Sequence, residues 1–163
     1  MVPASPVIAR LVPVALAAWL LAASALAAEQ EPEESGAETS GGGSPMETAK
    51  SAEKGALTNP YTGDSAAAEE GKEIYMAAGC NGCHGGTGGG GMGPPLTNPV
   101  WVYGNDDDTL FRLTALGTDA LLEQGYTRTG SENVVGPMPA QGTIVKSTDD
   151  MWKMITWIHS INE

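Results

Sequence analysis

Five consecutive residues, Cys80-Asn81-Gly82-Cys83-His84, are the part of this chain best suited to chemistry. Two thiols three positions apart can each add to a vinyl group of a porphyrin and form thioethers. The adjoining imidazole then stands ready to give a nitrogen to the iron, which is the attachment spacing of c-type haem. The same spacing elsewhere serves thiol–disulfide exchange or supplies half of a zinc site. Zinc needs two further thiolate or imidazole ligands, and the only other histidine is His159. A redox-active pair needs a strand–helix setting, whereas glycine-rich sequence follows here. Chance produces this pattern from this composition on the order of once in ten thousand. The expectation is one covalently attached haem c, with Cys80 and Cys83 as attachment residues and His84 as the proximal ligand.

A second axial ligand has to come from Met138, Met92, His159 or nowhere. Met138 lies in Gly136-Pro137-Met138-Pro139-Ala140, where prolines on both sides fix the backbone and reduce the entropy lost in presenting one thioether. Its separation of 54 residues from His84 lets the chain pass around a macrocycle and return on the other face. Met92 follows His84 by only eight residues and so belongs to the histidine side. Met151 and Met154 share a helical stripe with Ile155 and Ile158 and read as core. Met/His ligation closes the iron to exogenous ligands and raises its potential. That is the inner shell of an electron carrier rather than of an enzyme, and no catalytic residue is expected. An open distal position would instead mark a haem enzyme or gas sensor.

Helices must hold these groups in place. One is predicted over Asp64–Ala78, capped by Asp64 or Ser65, with Gly71 and Tyr75 on one face. Glycine is costly in a helix unless another helix must approach closely. The partner is the last helix, Thr148–Ile161, whose Ser147 and Asp150 match a capping box, with Trp157 expected to cross near Gly71. A middle helix, Thr109–Leu116, starts after the Asn105–Asp108 cluster and stops at Gly117, followed by a short helix Asp119–Gln124. In Gly93-Pro94-Pro95-Leu96, the Pro94 carbonyl can accept a hydrogen bond from the second nitrogen of His84. Trp101, Tyr103, Arg112 and Arg128 are candidate partners for the haem propionates, which need donors when partly buried.

The 163 residues divide by composition. Residues 1–27 place Arg10 before an apolar run and a small-residue Ala25-Leu26-Ala27 site, the pattern of a cleaved signal peptide. Its retention would make the chain a membrane-anchored subunit of a dehydrogenase or oxidase. Residues 28–57 hold seven glutamates and two lysines among glycine, serine and proline, and read as a disordered acidic leader. Residues 58–163 form the single mono-haem domain. With 8 basic against 20 acidic residues the net charge is −12, which excludes nucleic acid as a partner. Two cysteines exclude a disulfide framework. Export and haem attachment together point to the periplasm.

The order helix, CxxCH, GPxL, helix, methionine loop, helix over 60–163 resembles a small class I cytochrome c. That resemblance implies an all-α fold of about four helices wrapped around one haem. Asn59-Pro60-Tyr61-Thr62-Gly63-Asp64, GCNGCHGGTGGGGMGPPL and Trp101-Val102-Tyr103-Gly104 are further similar to the periplasmic cytochromes of methanol metabolism, the cytochrome cL group. It implies single electrons taken from a PQQ-dependent alcohol dehydrogenase and passed to another cytochrome c or a terminal oxidase. It also carries Cys80, Cys83, His84 and Met138 over to the attachment and axial positions.

Overall fold

The Gly71 position decides how two distant helices meet. In the computed structural model, which describes residues 43–133 and 136–162, helix α2 (Ser65–Ala77) packs against helix α5 (Thr148–Ser160). Asp64 caps α2 by accepting from the Ala66 and Ala67 amides, and Ser147 caps α5 by accepting from Asp150. A Cβ at Gly71 would lie 2.0 Å from the Lys153 carbonyl oxygen, so main chain meets main chain there. Trp157, expected to cross near Gly71, lies beside that notch and not in it. It stacks one turn further on against Tyr75, with ring centroids 4.4 Å apart. The notch left by a missing side chain admits a backbone, and an indole needs the broader surface beside a phenol ring.

Helix α3 (Asn81–His84) is a single turn, and α4 (Asp107–Glu123) begins at the Asp106 cap. The sequence divides α4 into two helices at Gly117. The structure bears this out: two helical segments meet at a kink at that residue, where φ is 81° and ψ is 173°. Phe111 packs on Trp152 with centroids 4.4 Å apart, and together with Met151, Met154 and Ile155 they form the centre of the core. No strand is present among the described residues.

Residues 43–57 depart from the disordered leader expected for 28–57. Pro45–Ser51 forms helix α1, capped by Ser44, and Ala49 is 0% exposed. Seven residues are too few to hold a helix alone. The stabilising group is Arg112 of α4, whose guanidinium donates to the carbonyls of Ala49, Ala52 and Glu53. Arg112 is itself paired with Asp108 at 2.9 Å, both side chains being under 5% exposed. Asp108 also accepts from the Leu57 amide and the Tyr126 hydroxyl. The signal-peptide expectation for 1–27 lies outside the described residues. Among the described residues, no helix is long and apolar enough to cross a membrane.

Candidate haem site

The α3 turn sets the spacing of the motif. His84 N–H donates to the Cys80 carbonyl at 2.9 Å, which brings residues 80, 83 and 84 to one face of the single turn. Gly85 ends the turn at φ 78°, and the glycine-rich loop folds back to satisfy the freed carbonyls. Gly90 donates to the His84 carbonyl and Gly93 to that of Cys83, at 2.8 and 2.9 Å. Gly93 leaves room for the imidazole, since a Cβ there would come within 2.9 Å of His84 Cε1. The Pro94 carbonyl lies 2.9 Å from His84 Nδ1. A carbonyl only accepts, so Nδ1 carries the proton and the Nε2 lone pair is free to bind a metal.

His84, Cys80 and Pro94 line a cleft of about 840 Å³, its open mouth included. Tyr75, Leu110, Leu113, Val102 and Ile158 form apolar walls, and Met138 and Thr118 face the same space. Cys80 Sγ is 3.9 Å from Met154 Sδ, and burial raises the Cys80 thiol above its ordinary pKa. Burial also pushes the Tyr75 phenol up to about 12, and its hydroxyl donates to the Gly85 carbonyl at 2.6 Å. Cys83 is partly exposed and is not among the lining residues.

The four residues expected at the propionates separate into two pairs. Trp101 and Tyr103 stand in the cleft wall. The Trp101 indole N–H is engaged by Asn162 at 3.3 Å, whereas the buried Tyr103 hydroxyl has no partner among the described residues. Arg112 is corrected: its three guanidinium nitrogens are taken by Asp108, Gln124 and the α1 carbonyls, so it anchors the N-terminal segment. Arg128 is exposed, sits 5.9 Å from the Tyr103 ring centroid and does not line the cleft. Met92 is 73% exposed and outside it as well, and so is His159, edge-on to Trp101.

These residues fit a haem. The walls are apolar where a macrocycle would lie, an imidazole of fixed tautomer and a thioether face the same cleft, and Tyr103 offers an unused buried donor for an acidic substituent. Two features were missed in the sequence. Thr118 bonds Met138 through both its amide and its hydroxyl. The sequence around the motif and the methionine loop is also free of charge, a collar with no Asp, Glu, Lys or Arg from Ile74 to Asn105 or from Asn133 to Val145, although Glu132 reaches it to accept from the Asn98 side chain. A simple charge count along the chain reveals the second; the first needs the fold.

Comparison with known proteins agrees with the chemistry of the cleft. No curated protein matches the chain. Among solved structures, cytochrome cL from Hyphomicrobium denitrificans is 29% identical with a TM-score of 0.49, over 65% of this chain and 54% of that one. This chain thus spans about half the length of that protein. Cytochrome cL from the marine methylotrophic bacterium Methylophaga aminisulfidivorans MPT is 22% identical, with a TM-score of 0.48 over 68% of this chain and 73% of that one. The cytochrome c family model matches residues 68–162, more than half of the chain and all of the cleft. The protein therefore belongs to the cytochrome c family, carrying electrons on one covalently attached haem c.

Proposed function

We propose that this cytochrome is a periplasmic carrier with His84 and Met138 as axial ligands, passing single electrons from a PQQ-dependent alcohol dehydrogenase to another cytochrome c or a terminal oxidase. The observation that carries the ligand assignment is that His84 and Met138 line the same apolar cleft. Pro94 fixes the tautomer of His84, and Thr118 holds the main chain of Met138. When bound, haem supplies one-electron redox chemistry. The chain's own residues supply the rest. Cys80 and Cys83 tether the ring, and the Pro94 carbonyl raises the basicity of His84. The Pro137 and Pro139 backbone presents the thioether, and the apolar walls exclude water. Tyr103 is the propionate donor, with Trp101 beside it in the wall.

The alcohol dehydrogenase as donor rests on the sequence words shared with the cytochrome cL group, Asn59–Asp64 and Trp101–Gly104 above all. Partner contact is made at the charge-free collar around Cys80 and Cys83, where glycines let another protein approach closely. Residues 1–27 direct export and are removed, which mass spectrometry of the mature N-terminus tests directly.

The ligand set is tested by absorption of the oxidised and reduced holoprotein, wild type against Met138→Ala. A far-red thioether–iron band present in the wild type and lost in the variant supports the assignment. A high-spin wild type that binds carbon monoxide rapidly would make it a haem enzyme or sensor. Stopped-flow reduction by a purified quinoprotein alcohol dehydrogenase tests the donor, and no reduction at micromolar concentrations would remove it.

A further inference from the structure

Helix α4 is interrupted at a place where its own ladder would otherwise close. In an unbroken helix the Thr118 amide would donate to the Thr114 carbonyl and the Asp119 amide to that of Ala115. At Gly117 φ is 81°, and the Thr118 amide and the Thr114 and Ala115 carbonyls turn to another segment. The Thr118 N–H donates to the Met138 carbonyl at 2.9 Å. The Thr114 and Ala115 carbonyls accept from Gln141 and Gly142, at 2.9 and 3.1 Å. The Thr118 hydroxyl accepts from the Met138 N–H at 2.9 Å, which closes a two-way clamp on one residue.

The position of the break admits only glycine, for two separate reasons. Its φ is one that side chains avoid, and a Cβ there would lie 2.8 Å from the Met138 oxygen and the Ala140 nitrogen. Thr118 and Thr114 are buried and line the cleft together with Met138. Pro137 and Pro139 cannot donate main-chain hydrogen bonds, so Met138 N–H is the only main-chain donor in residues 137–139. That donor goes to Thr118.

We propose that the Gly117–Thr118 break is a positioning device for the distal thioether, with the Thr118 hydroxyl setting how firmly Met138 is held in the cleft. The inference rests on Met138 as distal ligand. Thr118 touches the main chain of the ligand and not the metal, so it is a positioning residue. The break serves the loop as well as the helix: the Thr118 amide and the Thr114 and Ala115 carbonyls are all spent on residues 138–142.

The test uses ferric holoprotein and imidazole as a competing ligand, read by loss of the far-red band. Thr118→Val keeps the shape and removes the acceptor, leaving the part-buried Met138 N–H unpaired. The loop then yields more readily, and the imidazole Kd falls roughly tenfold, the scale of one hydrogen bond. Thr118→Ser restores the hydroxyl and returns the Kd to within about twofold of wild type. An unchanged Kd in Thr118→Val, with the far-red band intact, overturns the device. Absence of the far-red band from the wild type, or its survival in Met138→Ala, overturns the ligand reading beneath it, so the two failures differ. Amide hydrogen exchange of the unmutated holoprotein adds a measurement that needs no variant. The clamp requires Met138 N–H to be protected at least a hundredfold over exposed Thr143, and equal rates refute it.

Discussion

Gly71→Ala adds one methyl group to a helix and should nonetheless destabilise the protein. Taken as local propensity, the change is favourable by about 1 kcal/mol, because alanine is the best helix former and glycine nearly the worst. The contact opposes it. The new Cβ would sit 2.0 Å from the Lys153 oxygen, 2.4 Å from its carbon and 2.9 Å from the Met154 nitrogen. These are main-chain atoms of α5 and cannot rotate away, so the helices must separate by more than about 1 Å. A gap of that size forfeits roughly a quarter to a half of each dispersion contact across the interface. The Tyr75–Trp157 stack lies in the same interface. Overpacking of this kind costs typically about 1–3 kcal/mol and more where backbone must move. The net expectation is a loss of about 2 kcal/mol, or roughly 10 °C in Tm for a domain of this size. The assay is thermal unfolding of the holoprotein by circular dichroism. Lys72→Ala against Lys72→Gly, at the exposed neighbouring position, isolates propensity. Should Gly71→Ala melt at or above the wild-type temperature, the close crossing of α2 and α5 is wrong.

Arg112→Ala strands Asp108 in the interior and releases three α1-segment carbonyls, an expected loss of about 3–5 kcal/mol in urea unfolding. Limited proteolysis of the same variant should cut first between residues 43 and 57. Burial alone would raise the Asp108 carboxyl, but Arg112, Tyr126 and the Leu57 and Gly55 amides outweigh it and hold the pKa at about 2. A carboxyl depressed on folding stabilises above its unfolded pKa, so on the order of 2 kcal/mol is lost as pH falls from about 4 to about 2. Tm against pH measures this, and Asp108→Asn should flatten that part of the profile. Oxidation of the reduced protein by an anionic reagent such as ferricyanide should show an ionic-strength slope far below that of the net −8 on residues 58–163. The reagent meets the charge-free collar and not the acidic remainder; a slope matching the full charge would place electron exit elsewhere.

The helices that bear on the site were legible because their signals are local. Asp64 before an alanine-rich run and Ser147 before the Met151–Ile158 stripe each combine a cap with a periodicity, and both helices begin where those caps stand. Gly117 was readable as a stop, yet a stop from sequence cannot say what collects the freed groups; the loop at Met138–Gly142 lies some twenty residues away. Helix α1 was illegible for a related reason. Its seven residues carry a Ser44 cap but only a small apolar face of Pro45, Met46 and Ala49, and what secures its end is a cation 60 residues further on. Arg112 misled in the same way: its charge suggested a propionate, while its burial beside Asp108 commits it to carbonyls. Pairwise neighbours can be read from spacing, and long-range polar satisfaction cannot.

A chain with 22 glycines and one phenylalanine cannot fix its loops by burying large side chains, and the structure shows what does so instead. Single polar residues on one element each hold the main chain of another. Asn59 accepts from Tyr61 N–H and donates to the Trp152 carbonyl and Thr156 hydroxyl. Asn162 donates to the Leu96 and Asn98 carbonyls while accepting from Trp101, which secures the segment after Pro95. Arg112 does this for α1 and Thr118 for the methionine loop. Such bonds are modest when made and expensive when one partner is removed, because the other stays buried and unpaired. Loops held this way resist displacement without a large core behind them. An electron carrier gains from that property directly: the less its ligands move when the charge at the iron changes, the smaller the barrier to transfer.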